Sequence, residues 1–339
     1  MPIPVPGADP DDPSFTYEEF SYLHENCGEY DLDPPGDALV ERVVHELPDG
    51  RQVSGLRWGD GEPHAVLVHG GAQNAHTWDT VALALRPTPL LALDLPGHGH
   101  SSWRDDRRYD PFANAEDLAS ALCALAPHAR LVVGMSLGGL TSIALTRVPD
   151  LVGRLVLVDI TPGVTAEKAK AVHDFIAGPQ SFPSFAEIFE RTAEFNPTRT
   201  HESLRRGILH NAHRLPDGSW EWNYDRRPIA ELTDLDGSES GAGSTGAASG
   251  ADTTVGALPG PALWEAVAEA DCPLLLARGA LSPVVGDDDV AELARLRPDA
   301  RVVLVDGAGH SIQGDRPLQL AGIIRAELGQ VPRSPSIDR

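Results

Sequence analysis

The chain has 339 residues, 41% of them hydrophobic and 23% charged, an ordinary globular balance with enough length for a large core and more than one domain. Its formal charge of −23 repels phosphate backbones and argues against a nucleic-acid partner. No apolar run approaches the length of a membrane helix. The first residues, MPIPVPGADPDDPS, lack the basic and apolar regions of a secretory signal, so a soluble cytoplasmic protein with no membrane partner is expected.

Residues 1–37 hold ten acidic residues and no lysine or arginine. They read as a partly ordered extension whose Phe15, Tyr17, Phe20, Tyr22 and Leu23 dock on the body. Thr16 and Glu19 have capping-box spacing, which predicts a short helix starting there. From 38 to 161 the texture is that of an α/β core. ALVERVVHEL and QVSGLRWGD predict two strands around Pro48-Asp49-Gly50. HAVLVHG (64–70), LLALDLPG (90–97), RLVVGMS (130–136) and RLVLVDIT (154–161) are short aliphatic runs that stop at glycine or polar residues. CPLLLARG (272–279) and ARVVLVDGAG (300–309) resume the pattern in a second core segment, 269–331, followed by a tail at 332–339. Helical periodicity lies between them at 77–86, 113–125, 138–147, 288–296 and 316–328. Near-continuous apolar strands alternating with helices mean a mostly parallel sheet covered on both faces.

The interval 162–268 breaks this rhythm. It is too long for a crossover and carries helical patterns at 165–177, 184–195 and 199–214. Ser184 and Glu187 have capping-box spacing for the second of these. The interval reads as an inserted helical cap, with GSESGAGSTGAASG (237–250) as a flexible stretch that either gates the site or is a tolerated insertion. Trp220, Trp222 and Tyr224 alternate, which puts one face towards either a substrate cavity or ordinary packing.

Chemistry concentrates in three loops at strand ends. Gly134-Met135-Ser136-Leu137-Gly138 fits G-x-S-x-G between a strand and a helix. A sharp turn there projects the Ser136 hydroxyl and demands small neighbours. The N–H of Leu137 then sits at a helix N-terminus, where negative charge is favoured. Serine alone is a weak nucleophile and needs a base, an orienting acid and oxyanion donors. His69-Gly70-Gly71-Ala72-Gln73 closes the third strand, so the N–H of Gly71 is the second candidate donor and His69 a loop-orienting residue. Gly307-Ala308-Gly309-His310 closes the last strand and makes His310 the candidate base.

HGGAQNAHTW (69–78), DLPGHGHSS (94–102), GMSLGG (134–139) and GAGHS (307–311) together resemble the α/β-hydrolase superfamily, in its order. The resemblance implies an eight-stranded sheet with a cap inserted after strand six. It implies Ser136 as nucleophile, His310 as base and the amides of Gly71 and Leu137 as oxyanion hole. An aspartate-nucleophile branch is disfavoured because serine holds that position. The family's usual acid, in G-x-x-D after strand seven, is missing. Gly279-Ala280-Leu281-Ser282 stands there, with serine in its place. Asp159, at the end of strand six in LVDITP, is the preferred substitute, as in a minority branch of the superfamily. Asp287, Asp288 and Asp289 remain open, although acids also suit the start of the following helix.

The remaining candidates are weaker. His98 and His100 form an H-x-H without the further ligands of a dinuclear metal site. His210 and His213 read as a solvated cap face, and so do the arginines Arg191, Arg205, Arg206 and Arg226, which otherwise suit a substrate carboxylate. Cys27, Cys123 and Cys272 have no disulfide or zinc spacing and read as small buried residues. The expectation is therefore a serine hydrolase of an ester, thioester or related acyl bond in a small, fairly apolar molecule. It needs no metal or cofactor, and homo-oligomerisation is left open. Carbon–carbon bond hydrolysis, a cofactor-free haloperoxidase or perhydrolase, and a non-catalytic ligand receptor are the alternatives.

Overall fold

The computed structural model describes residues 5–36, 40–226 and 260–331. The 237–250 and 332–339 stretches lie outside the described residues. An eight-stranded sheet runs in the order β1 (Val40–Glu46), β2 (Gln52–Trp58), β4 (Leu90–Leu93), β3 (Ala65–Val68), β5 (Leu131–Met135), β6 (Arg154–Val158), β10 (Leu274–Gly279), β11 (Arg301–Val305). β2 is antiparallel to both of its neighbours, and every other pairing is parallel.

The aliphatic runs are continuous because both faces are covered. Val66, Val68, Val132, Leu155, Leu157, Leu274 and Leu276 point to one side. They meet α3 (Pro111–Leu125), α4 (Leu137–Leu145) and α8 (Gly260–Glu269) through Leu118, Leu122, Ile143, Leu145, Leu263 and Val267. Alternate residues Ala65, Leu67, Leu131, Val133, Val156, Val158 and Leu275 point to the other side. There they meet α1 (Leu23–Glu29), α2 (Asp79–Leu85) and α11 (Pro317–Leu328) through Leu23, Val81, Leu320 and Ile324. Each buried valine, leucine or isoleucine among them contributes roughly 1.5–3 kcal/mol.

Between β6 and β10, α5 (Lys170–Ile176), α6 (Phe185–Phe195) and α7 (His201–Asn211) accompany a three-stranded sheet of β7 (Ser181–Phe182), β9 (Trp220–Trp222) and β8 (Ala212–Arg214). Ser184 caps α6 by accepting the Glu187 N–H at 3.3 Å. The helix expected over 199–214 ends at Asn211, and the chain turns there into β8. Phe185, Phe189, Leu204, Trp220, Trp222 and Tyr224 form a third core that also takes Tyr22 from the N-terminal extension.

Three local expectations fail. No helix begins at Thr16: the first is α1, starting at Leu23. Glu19 is drawn inward instead, onto Arg42 and His76, where it forms a half-buried ion pair and is not available as a helix cap. The helix face of Arg205, Arg206 and His210 is buried, not solvated, because the extension lies against it. Arg205 pairs with Glu25, and Arg206 with Glu25 and Glu29. Cys27 and Cys272 are buried as expected, but Cys123 lies on the exposed side of α3.

Candidate active site

Ser136 follows β5 directly and has φ 50° and ψ −122°, a left-handed conformation that a non-glycine residue rarely adopts. The flanking glycines make the turn possible. A Cβ on Gly138 would stand 2.3 Å from the carbonyl oxygen of His69, and one on Gly134 would stand 2.5 Å from that of Gly138. α4 begins at Leu137, whose N–H has no acceptor one turn back in the helix. A Cβ on Gly70 would reach to 3.1 Å from the Ser136 Cβ, and one on Gly71 to 3.9 Å from the Leu137 side chain. The loop that carries Gly71 and the first turn of α4 therefore meet beside the serine.

The 69–73 loop is held by two buried histidines. His69 Nε2 accepts the Leu95 N–H at 2.9 Å, so its Nδ1 carries the proton and donates to the Gly70 carbonyl at 2.7 Å. His98 repeats the pattern, with Nε2 accepting from the Ala72 N–H at 3.0 Å and Nδ1 donating to the Pro96 carbonyl at 3.0 Å. Burial drives the His69 pKa down to about 3 and lowers that of His98, so both stay neutral. With both nitrogens of His98 engaged and His100 exposed, the H-x-H holds a loop and not an ion. Asn211, at the end of α7, donates to the Ala72 carbonyl at 2.7 Å and accepts from Asn74 at 3.2 Å. Sequence reading passed over this pair, which gives no local signal because 137 residues separate its members.

His310 lies in the loop after β11, and its Nδ1 meets Asp159 Oδ2 at 2.8 Å. A carboxylate only accepts, so Nδ1 carries a proton, and in the neutral imidazole the lone pair is then on Nε2. Ser136, His310, Gly71 and Gly70 line one cavity of about 340 Å³, whose lining also includes Phe175, Ile176, Phe195, Leu204 and Trp222.

The profile of the α/β-hydrolase family matches residues 65–323. The esterase Rv0045c of Mycobacterium tuberculosis is 42% identical over 94% of this chain and 98% of its own. The chain belongs to the α/β-hydrolase family. A solved structure of that esterase, described together with its inhibition by transition metals, superposes with a TM-score of 0.75 at 40% identity, over 93% of this chain and all of the other. The 2-(acetamidomethylene)succinate hydrolase of Mesorhizobium japonicum is 27% identical over 84% of this chain and 95% of its own.

Within this α/β hydrolase, Asp159 occupies the end of β6, fully buried, with φ 51°. Its Oδ1 accepts the Gly279 N–H at 2.8 Å, while Oδ2 accepts the Ser282 hydroxyl at 2.5 Å as well as His310 Nδ1. Ser282, the residue standing where the family's usual acid is expected, thus donates to the acid that lies against the histidine. The loops of Ser282 and His310 are pressed together: a Cβ on Gly279 would stand 2.3 Å from the Gly309 carbonyl oxygen. The other candidate acids are elsewhere. Asp287 is exposed and pairs with Arg278 at 2.6 Å. Asp288 and Asp289 bind Lys168 at 3.1 and 2.7 Å. All three open α9 (Asp287–Leu296), where carboxylates suit the helix dipole.

Proposed function

We propose that this ester-cleaving α/β hydrolase works through an acyl-enzyme, with Ser136 as nucleophile, His310 as base and Asp159 as the orienting acid. His310 Nε2 takes the proton of the Ser136 hydroxyl as it attacks the carbonyl carbon. The backbone N–H groups of Gly71 and Leu137 stabilise the tetrahedral oxyanion, each by about 3 kcal/mol. The resulting imidazolium is stabilised by Asp159 and returns the proton to the leaving alcohol. Water, deprotonated by the same histidine, then releases the acid. The observation that carries this reading is the 2.8 Å bond from His310 to Asp159 beside a cavity that Ser136 lines.

The apolar wall of that cavity favours a small ester with a hydrophobic acyl or alcohol part. Residues 162–268, as far as they are described, are assigned as a cap over the site. The bond from Asn211 to Ala72 and the walls supplied by Phe175 and Trp222 support this assignment. Among the described residues no helix is long and apolar enough to cross a membrane.

The decisive experiment is hydrolysis of acyl esters of graded chain length by wild type and Ser136→Ala, with fluorophosphonate labelling in parallel. The reading requires labelling of wild type alone and a loss of kcat of roughly 10⁴-fold or more in the variant. Labelling of Ser136→Ala to the wild-type extent would overturn it.

A further inference from the structure

His310 is anchored twice, and the acyl-transfer reading uses only the anchor on its ring. The second acts on the backbone. After β11 the chain passes through Gly309 and His310 into a single helical turn, α10 (Ile312–Asp315). At the end of that turn the Asp315 carboxylate folds back, and its Oδ2 accepts the Gly309 N–H at 2.7 Å. This bond closes residues 309–315 into a loop that contains His310. The N–H groups of Gly314 and Asp315 both donate to the Ser311 carbonyl, at 2.8 and 2.9 Å, which fixes the turn from which the carboxylate reaches back. Gly309 is thus held at its N–H by Asp315, while its carbonyl oxygen lies against Gly279.

The other oxygen of Asp315 reaches the cap. Oδ1 accepts the hydroxyl of Thr198 at 2.9 Å, and Thr198 lies between α6 and α7, 117 residues earlier in the chain. Cap and loop are in close contact around this bond. A Cβ on Gly309 would stand 3.2 Å from Asp315 Oδ2 and 3.6 Å from Thr198 Oγ1. A Cβ on Gly314 would stand 2.8 Å from Arg199 Nε, so a side chain at 314 would push the Arg199 guanidinium away. Thr198, Gly309, His310 and Asp315 line the same cavity as Ser136.

Asp315 is 6% exposed, and among the described residues its carboxylate is taken up by a backbone N–H and a hydroxyl, not by an ion pair. A buried carboxylate is costly unless its oxygens are hydrogen-bonded. Loss of either donor therefore weakens the hold on the other.

We propose that Asp315 and Thr198 are positioning residues for the general base, through which the cap segment between α6 and α7 sets where His310 stands. The inference rests on the assignment of Ser136, His310 and Asp159 made above. Asp159 orients the imidazole through Nδ1, but the place of Nε2 relative to the Ser136 hydroxyl also depends on the backbone that carries the ring. When Thr198 lifts away, Asp315 loses one donor, the 309–315 loop loosens and Nε2 leaves its line with Ser136. Proton transfer between positioned groups falls steeply with such a displacement. The base is complete only while the cap is seated.

The test compares Thr198→Val, which keeps the shape and removes the hydroxyl, with Thr198→Ser, which restores it, and with Asp315→Ala, all in the full-length chain. A small fluorophosphonate reports the reactivity of Ser136, steady-state kinetics on one ester separates kcat from KM, and proton NMR follows the low-field signal of His310 Nδ1–H. Thr198→Val should lose roughly ten-fold in both labelling rate and kcat, with KM little changed, and Asp315→Ala should lose more. The Nδ1–H signal should weaken in Thr198→Val, and Thr198→Ser should regain most of all three readings. Thr198→Val with wild-type labelling and kcat would refute the link to the cap. A rise in KM alone would make Thr198 a substrate contact and refute it too, and wild-type kcat in Asp315→Ala would refute the role of Asp315. If Asp315→Ala does not fold, the Thr198 pair decides, because Thr198 is exposed. Wild type that fails to label, or Ser136→Ala that labels equally, would instead bring down the acyl-enzyme reading and this inference with it.

Discussion

Ser282 donates its hydroxyl to Asp159 Oδ2 at 2.5 Å, on the oxygen that also receives His310 Nδ1–H. The serine stands where the commoner arrangement of the family has its acid, and the carboxylate that meets the histidine comes from the end of β6 instead. The histidine is served from β6, and the loop after β10 supplies a neutral donor that helps fix the carboxylate.

Asp159→Asn should therefore lower kcat by roughly 10⁴-fold, since the amide no longer stabilises the imidazolium or sets its tautomer. Asp287→Asn should stay near wild type. Ser282→Ala removes one hydrogen bond to a charged group, about 1.5–3 kcal/mol, and should cost roughly ten- to a hundred-fold. Ser282→Asp alone should be impaired, because two carboxylates would then face each other. Combined with Asp159→Asn it should recover at least ten-fold over Asp159→Asn alone. Steady-state kinetics on one ester checks the set, and a double variant no better than Asp159→Asn would count against interchangeable acid positions.

Gly279→Ala probes the contact between the two loops. The added methyl meets the Gly309 carbonyl oxygen at 2.3 Å, backbone against backbone, so one loop must move. Overpacking of this kind costs about 1–3 kcal/mol. The melting temperature should drop by several degrees and kcat should fall more than KM rises, because His310 is displaced. A variant with wild-type kcat would show that the loop relaxes elsewhere.

Asn211→Ala tests whether the helical segment supports the oxyanion loop. It removes the donor to Ala72, a residue already at φ 58°, and leaves that carbonyl buried. The unfolding free energy should fall by about 1–3 kcal/mol. If the loop matters for the transition state, kcat should decline with KM little changed. A pure rise in KM would point to substrate packing instead.

The histidines behind the oxyanion loop predict acid sensitivity. The His69 pKa, near 6.5 in the unfolded chain, is about 3 in the folded protein because burial disfavours its charge. Between those values the unfolded state holds a proton that the folded state lacks. The stability is complete above about pH 6.5 and lost as pH falls towards 3, by about 1.4 kcal/mol per pH unit for one such group. His98 adds in the same direction. Denaturant unfolding of wild type and His69→Asn at pH 7 and pH 5 should show a shallower pH slope in the variant. Equal slopes would mean that His69 does not carry the effect.

Much of this protein was legible along the chain. The aliphatic runs declared a sheet covered on both faces, because period and burial follow from local residue order. The glycines around Ser136 and before His310 declared tight turns, since a Cβ there collides with backbone. Asp159 could be chosen over Asp287, Asp288 and Asp289 because it ends a strand at the same sheet edge, whereas the others open a helix. Tertiary structure decided what depends on contacts across long sequence separations. Glu19 left its expected cap for Arg42 and His76, and His210, read as solvated, became buried once the N-terminal extension covered α7. Helical spacing reports which residues share a face but not what lies against that face. The stack of His76 on His210 and the turn of Ser282 towards Asp159 join residues more than a hundred positions apart, and no local pattern encodes them.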